Sequence, residues 1–264
     1  MTQSHSWDFG RWWRAKRVRC CCIATLIFFV LITITPKIHH SPSLHIFADM
    51  RNLIGVPNTL NVVTNFPFLI VGIVGLVISV CGNSFKIGKG EVWGWAFFYS
   101  GIAGLAFGSA YYHLDPGDDR VIWDQLPVLV SISSLSSVLV MERVDGQMGI
   151  ACLFSLIIFS LISIQYGRDF DDLRLCMIVQ FVPCLAIPAI ILLFPPKYTH
   201  SSYWFLVTGL YLLARFEAIY DKKVYRVNHY VISGHSLEHL CLTAIPIFLS
   251  IMLCFRNIKI QRNC

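Results

Sequence analysis

The fold class is decided by residues 60–81, which read LNVVTNFPFLIVGIVGLVISVC and contain no charged side chain. A helix of about 20 apolar residues is long enough to cross the roughly 30 Å of hydrocarbon in a bilayer. The composition agrees, because 56% of the 264 residues are hydrophobic, only 14% are charged and the mean hydropathy is +0.63. The sequence is therefore that of an integral membrane protein.

Other stretches share the length and apolar character of residues 60–81, and together they give eight predicted spans. The others cover residues 20–36, 92–112, 121–141, 148–166, 174–194, 203–220 and 231–255. A transmembrane β-barrel would instead show alternating segments of about ten residues. We therefore predict an all-α fold, a polytopic membrane helical bundle with a seven-helix core plus one extra N-terminal transmembrane helix. Basic residues precede that first span, and no convincing cleavage site follows it, so we predict a retained anchor.

These spans divide the chain into four parts. We predict a basic cytosolic N-terminal tail (1–19), an extra transmembrane anchor and loop (20–57), a seven-helix core (58–255) and a basic cytosolic tail (256–264). Cytosolic segments near span ends retain Lys and Arg during insertion. The segments on the same side of the membrane as the N-terminus hold more of the Lys and Arg residues than the segments on the other side. This bias predicts that both termini are cytosolic and that the opposite side faces the lumen or exterior.

The charge and the cysteines exclude other classes of protein. A net charge of +6 suits contact with anionic lipid headgroups, and it gives no reason to expect nucleic acid binding. Most of the ten cysteines fall inside predicted spans rather than in outward loops. They therefore do not indicate a disulfide framework.

Polar residues at span ends carry the candidate chemistry. Ser109-x3-His113 ends the third span, Asp124 begins the fourth, and His235-x3-His239 begins the last. Ionisable side chains in a membrane are costly to keep and mark functional sites. Because positions i and i+4 share a helix face, His235 and His239 can present two imidazoles to one point. Three histidines with an open fourth position are typical of a catalytic zinc site.

Each of these residues also has a simpler interpretation. A single membrane histidine is as often a hydrogen-bonded core residue, and Ser109 has the alternative of bonding a carbonyl of its own helix. The joint occurrence of the residues at one membrane face favours a site. In that site Asp124 is the candidate general base, and Ser109 is a candidate donor to a developing oxyanion. A di-iron hydroxylase would need more than three histidines at this face.

Four short motifs carry a resemblance to a known family. They are Asn-Val-Val-Thr-Asn at 61–65, Gly-Ser-Ala-Tyr-Tyr-His at 108–113, Trp-Asp-Gln-Leu-Pro at 123–127 and Gly-His-Ser-Leu-Glu-His at 234–239. On these residues the chain resembles the alkaline ceramidases, within the superfamily of seven-helix membrane hydrolases that includes the adiponectin and progestin receptors. The resemblance covers about residues 49–255 and leaves the first predicted span outside.

The resemblance implies one zinc ion held by His113, His235 and His239. It implies that Asp124 acts on the water at the metal and that Ser109 lies near the scissile carbonyl. The expected function is a zinc-dependent amidohydrolase that cleaves the N-acyl bond of ceramide or phytoceramide-like sphingolipids, in the endoplasmic reticulum or Golgi membrane with the site toward the lumen. Two alternatives remain: a related membrane lipid esterase or lipase, and a non-catalytic receptor or structural protein with a helix-clamping zinc.

The chain departs from the family at its calcium-binding element, which begins Asp-Trp-x-Glu in the ceramidases. Here residues 49–52 are Asp-Met-Arg-Asn, so one carboxylate is kept and Arg51 opposes a cation. Asn52 and Asn58 offer oxygen ligands, but we regard a calcium site as doubtful. The family also carries an acidic residue at the position of Ser233. Both departures place the chain in a divergent branch.

Overall fold

The protein is seen in a computed structural model that describes residues 18, 21, 22 and 24–259. Most of the predicted N-terminal tail, residues 20 and 23 of the predicted anchor and residues 260–264 of the predicted C-terminal tail lie outside the described residues. Helix makes up 75% of the structure, and the described residues contain no strand. The predicted all-α class is therefore confirmed.

Helices occupy all eight stretches that the sequence analysis predicts as spans. In chain order the described helices are α1 (Ala24–Ile34), α2 (Thr59–Val63), α3 (Phe66–Cys81), α4 (Val92–Leu114), α5 (Asp118–Arg143), α6 (Gly146–Phe170), α7 (Arg174–Leu193), α8 (Tyr203–Ile219), α9 (Asp221–Val227) and α10 (Gly234–Phe255). A 3-10 turn at Pro42–His45 lies between α1 and α2.

Five helices in the described part of the chain are long and apolar enough to cross a membrane. They are Thr59–Cys81, which joins α2 and α3, together with α5, α6, α7 and α10. The protein is thus a multi-pass membrane protein built as a helical bundle. The count of seven core spans and the crossing by the N-terminal helix remain predictions.

The core forms around α4, which packs against α3 on one side and α5 on the other. Trp95, Phe98 and Tyr99 of α4 are almost fully buried, with Trp204 of α8 and Leu249 of α10 in the same apolar cluster. α8 packs along α10, which also contacts α3. This arrangement brings the end of α4 to the start of α5 and the start of α10.

α4 and α5 approach each other closely at Gly108. A Cβ atom at this position would lie 1.9 Å from the carbonyl oxygen of Trp123. Backbone oxygen cannot move aside as the end of a flexible side chain can, so the crossing requires glycine. Gly108 is followed by Ser109, and Trp123 is followed by Asp124. The close crossing therefore lies next to a predicted site residue on each helix.

Residues 36–58, which we call the strap, connect α1 to α2 at the same end of the bundle. Two of its three histidines, His39 and His40, bind the Asp171 carboxylate through their Nδ1 atoms at 2.7 and 2.9 Å. These hydrogen bonds hold the pKa of the exposed Asp171 carboxyl well below its ordinary value. Further along, His45 contacts the Asp118 carboxylate at 2.9 Å. The strap is therefore fastened to the ends of α5 and α6.

A buried ionic cluster closes the opposite end of the bundle. Arg256, which the sequence analysis assigns to the basic tail, is only 1% exposed. Its guanidinium contacts Glu91 at 2.6 Å and Glu142 at 3.3 Å. Glu91 also accepts the hydroxyl of Tyr198 at 2.8 Å. The end of α10 is thereby bound to α4 and α5, far along α10 from its histidines.

Candidate metal centre

Two helix ends supply the three predicted histidine ligands. His113 lies in the last turn of α4, and His235 and His239 lie in the first two turns of α10. α10 begins at this point because Ser233 is its N-cap, with a side chain that accepts the backbone N–H of Ser236 at 3.1 Å. Starting the helix here places His235 and His239 one turn apart on the same face.

The three imidazole rings meet as predicted. Their centroids are 4.8 Å apart for His113 and His235, 5.2 Å for His113 and His239, and 4.7 Å for His235 and His239. One ligand nitrogen from each ring lies within 4.8 Å of the other two. Nitrogens that bind one ion tetrahedrally at about 2 Å lie roughly 3.3 Å apart. Small ring rotations reach that spacing, so the group can bind a metal ion.

Hydrogen bonds at the outer ring nitrogens leave the inner ones free as ligands. The Nδ1 atom of His239 lies 2.8 Å from the Thr64 hydroxyl oxygen. That hydroxyl donates to the Leu60 carbonyl, so it accepts the Nδ1 proton of His239. His235 similarly places its Nδ1 atom 3.0 Å from a Glu238 carboxylate oxygen. In both rings the proton sits on Nδ1, and the lone pair of Nε2 is available.

His113 supplies the strongest sign that the site takes a cation. It is fully buried, and its Nδ1 atom has no hydrogen-bond partner among the described residues. Its Nε2 atom lies 3.1 Å from Nε2 of His235, which carries a lone pair. A cation between these two nitrogens accepts both Nε2 lone pairs at once and leaves the proton of His113 on Nδ1. The chemistry of the donor set therefore fits a metal ion.

The Asn-Val-Val-Thr-Asn motif surrounds the ligands. Asn61 is fully buried, and its side-chain oxygen accepts the Ser236 hydroxyl at 2.6 Å. Thr64 holds His239 as described above. Just before the motif, Asn58 donates to the backbone carbonyl of His113 at 2.8 Å. The motif and the preceding Asn58 together join the start of α10 to the end of α4, a role that sequence patterns alone did not indicate.

Ser109 and Asp124 join the histidines at one cavity. They line it together with His235 and His239, and its volume is about 730 Å³. Asp124 lies close enough to interact with the Ser109 hydroxyl and with the charge of His235. His113 is not among the lining residues, but its Nε2 atom contacts that of His235, which lines the cavity. The structure therefore brings all five predicted site residues together.

The Ser109 hydroxyl differs from other serine hydroxyls of the bundle. Ser131, Ser134 and Ser137 of α5 each donate to a carbonyl one turn earlier. Ser109 Oγ is buried and forms no hydrogen bond of normal geometry with any described residue. The alternative interpretation of Ser109, a hydrogen bond to a carbonyl of its own helix, is therefore not observed. The hydroxyl lies within interaction range of the Asp124 carboxylate, and both residues line the cavity.

Two site residues were missed by the sequence analysis. Phe47 of the strap lies over the ligands, with its ring centroid 4.6 Å from those of both His113 and His235. Glu238 is buried between the two histidines of α10 and forms an ion pair with Arg215 of α8. The only sequence signal for Glu238 was its position three residues after His235, on the same helix face.

The segment at the position of the family's calcium-binding element, where we regard calcium as doubtful, does not fit a cation. Arg51 donates to both carboxylate oxygens of Asp49, at 2.8 and 2.7 Å, and also to the Val231 carbonyl at 2.7 Å. Burial opposes ionisation of Asp49, but the hydrogen bonds and charge of Arg51 outweigh it, so the pKa of this carboxyl is lowered. The guanidinium already neutralises the carboxylate that calcium would need.

We expect millimolar calcium to leave the thermal midpoint of the purified protein unchanged. A ligand that binds only the folded state stabilises it by about 2.7 kcal/mol at 100 times its Kd, and the Asp49–Arg51 pair leaves no such site. Differential scanning fluorimetry with equal magnesium as the ionic-strength control measures this. A rise in midpoint with calcium alone would contradict the expectation.

No protein-family model matches this chain, and no curated protein matches it significantly. The function of the metal centre must therefore be inferred from the residues that form it.

Proposed function

We propose that the protein is a membrane-embedded zinc-dependent amidohydrolase that cleaves the N-acyl bond of ceramide or phytoceramide-like sphingolipids. One observation carries the proposal: of three histidines able to hold a metal, two line the same cavity between membrane helices as Asp124 and Ser109. A purely structural metal site has no need of an adjoining cavity, whereas a hydrolase needs room for its substrate.

In this proposal His113, His235 and His239 hold zinc, which suits an all-imidazole ligand set with an open position. When bound, zinc supplies Lewis-acid chemistry that polarises the substrate carbonyl and lowers the pKa of water. The described protein groups then have to orient the amide, move protons and exclude bulk water.

Asp124 is the proton carrier. Its carboxylate accepts a proton from the attacking water as the water oxygen bonds to the amide carbon. When the C–N bond breaks, Asp124 returns that proton to the departing nitrogen. The products are a fatty acid and a long-chain base, and Asp124 ends as it began.

Ser109 acts on the carbonyl oxygen. Its buried hydroxyl has no other acceptor of normal geometry among the described residues, so it can donate to the oxygen on which negative charge develops. A donor placed for the transition state is worth about 3–4 kcal/mol in other hydrolases. The aromatic ring of Phe47 over the histidines helps to keep bulk water from the same point.

An apolar substrate explains why the site lies among membrane helices. A ceramide-like lipid can enter the cavity sideways from the bilayer without crossing water. Pro183 and Pro188 lie inside α7, where each removes a backbone hydrogen bond, and such a helix is suited to line a lipid portal. We further propose a location in the endoplasmic reticulum or Golgi membrane, with both termini cytosolic and the site toward the lumen.

We expect purified full-length protein in detergent to release fatty acid from ceramide or phytoceramide, to lose this activity to a zinc chelator and to regain it with added zinc. His239→Ala should abolish release, because it removes one of three ligands. His200→Ala is the matched control, since His200 is an exposed histidine near the opposite end of the bundle. The absence of metal-dependent release would defeat the proposal.

The same residues would serve an ester, so a lipase or acyl esterase is the nearest alternative. A panel of ceramides and glycerol esters, matched in acyl chain, separates the two by which bond is cleaved. The other alternative is a zinc that only clamps α4 to α10. The variant Asp124→Asn tests it, because a structural zinc has no need of a proton carrier.

A further inference from the structure

The carboxylate of Glu238 contacts the outer nitrogen of a metal ligand, His235, without being a ligand itself. Glu238 follows His235 by three residues and precedes His239 by one, and it is only 3% exposed. An uncompensated carboxylate in such surroundings costs several kcal/mol. The protein therefore has to partner it, and both of its oxygens are in use.

One oxygen of Glu238 faces the metal ligand and the other faces a cation. Oε2 lies 3.0 Å from Nδ1 of His235, and Oε1 accepts the Nη1 group of Arg215 from α8. The guanidinium also lies over the ring of Phe181, 5.7 Å from its centroid. The three polar side chains form a continuous chain, Arg215–Glu238–His235, that runs from α8 to the metal centre.

This chain distinguishes His235 from the other two ligands. The outer nitrogen of His239 meets a neutral hydroxyl, and that of His113 meets no hydrogen-bond partner among the described residues. Only His235 of the three has an anionic partner at Nδ1. A carboxylate at this position fixes the tautomer and orientation of the ring and makes its other nitrogen a stronger donor.

We propose that Glu238 and Arg215 are positioning residues for the metal: Arg215 holds the Glu238 carboxylate, and Glu238 holds His235 with its Nε2 lone pair toward the ion. The inference rests on the metal site of the proposed function and does not depend on which lipid is cleaved. It also assigns a role to Arg215, whose partly buried guanidinium is paired with the Glu238 carboxylate.

Glu238→Gln tests the role of the charge. Glutamine keeps the shape and an oxygen that can accept the Nδ1 proton, but it lacks the negative charge. We expect zinc affinity to fall about 10- to 100-fold, as it does when outer-shell carboxylates are removed from other zinc sites. The measurement is zinc retained by full-length protein in detergent across a graded series of competing chelator, with no lipid substrate present.

Glu217→Gln is the matched control. Glu217 lies two residues after Arg215 on α8, and no hydrogen bond joins it to a histidine of the site among the described contacts. The same chemical change there should leave zinc affinity within twofold of the wild type. Glu238→Gln leaves Arg215 unpaired, so the double variant Arg215→Met, Glu238→Gln, which removes both charges, is measured in parallel in case the single variant does not fold.

A zinc affinity within twofold of the wild type in the folded variant would overturn the proposal, whatever the effect on melting. If only the midpoint of the metal-free protein falls, the ion pair is a structural link between α8 and α10. A wild type that binds zinc yet cleaves no lipid would defeat the proposed hydrolase and leave this inference standing.

Discussion

Asp124→Asn is expected to reduce fatty acid release by about 10²- to 10⁴-fold, the usual contribution of general acid–base catalysis. Asparagine has nearly the same shape as aspartate but cannot accept a proton from water and pass it to nitrogen. Asp124 is not among the three residues that can hold the metal. Zinc content and thermal midpoint should therefore stay close to those of the wild type.

The experiment compares turnover, zinc content and melting in one preparation. Asp119→Asn is the matched control, because Asp119 lies in the first turn of the same helix and is exposed. Unchanged turnover in Asp124→Asn would remove the proton carrier from the mechanism. An unchanged lipid profile in cells that carry Asp124→Asn would favour the helix-clamping alternative. A loss of zinc would instead make Asp124 a part of the metal site.

The helices could be predicted from the sequence because long apolar runs have few alternatives in a bilayer. Residues 121–141 and 231–255 were predicted as spans, and the corresponding helices are Asp118–Arg143 and Gly234–Phe255. The differences lie at the ends, where hydropathy does not determine the boundary. In the last helix the N-cap residue Ser233 determines the first residue of the helix, because its side chain accepts a backbone N–H of the first turn. Span ends therefore depend on capping as much as on apolar length.

The metal ligands could be predicted because their signal is local. His235 and His239 are related by one turn of a single helix, and His113 ends a neighbouring span. Glu238 was missed because its role depends on Arg215, which comes from another helix. Packing across the bundle determines which face of α8 contacts which face of α10. The pattern of apolar residues in either segment does not reveal these contacting faces. Phe47 was missed for the same reason, since its segment has no regular pattern.

The crossing of α4 and α5 leads to the second large effect. Gly108→Ala is expected to lower the free energy of unfolding by about 3 kcal/mol, the upper end of the range for overpacked cores. The new methyl group would lie 1.9 Å from the Trp123 carbonyl oxygen, so the two helices must separate. Turnover of the folded fraction should also fall, by about 100-fold for a displacement near 1 Å.

Gly104→Ala separates this effect from a general intolerance of larger residues on α4. Gly104 lies one turn earlier on the same face, and a methyl group there meets only the side chain of Pro127 at 3.7 Å, which is ordinary van der Waals contact. Alanine is also the better helix former by roughly 0.5–1 kcal/mol, so this variant should melt no lower than the wild type. Equal midpoints for the two variants would contradict the close crossing. Because Gly108 precedes Ser109 and Trp123 precedes Asp124, the crossing that excludes the methyl group is also the one that sets the distance between the proposed proton carrier and oxyanion donor.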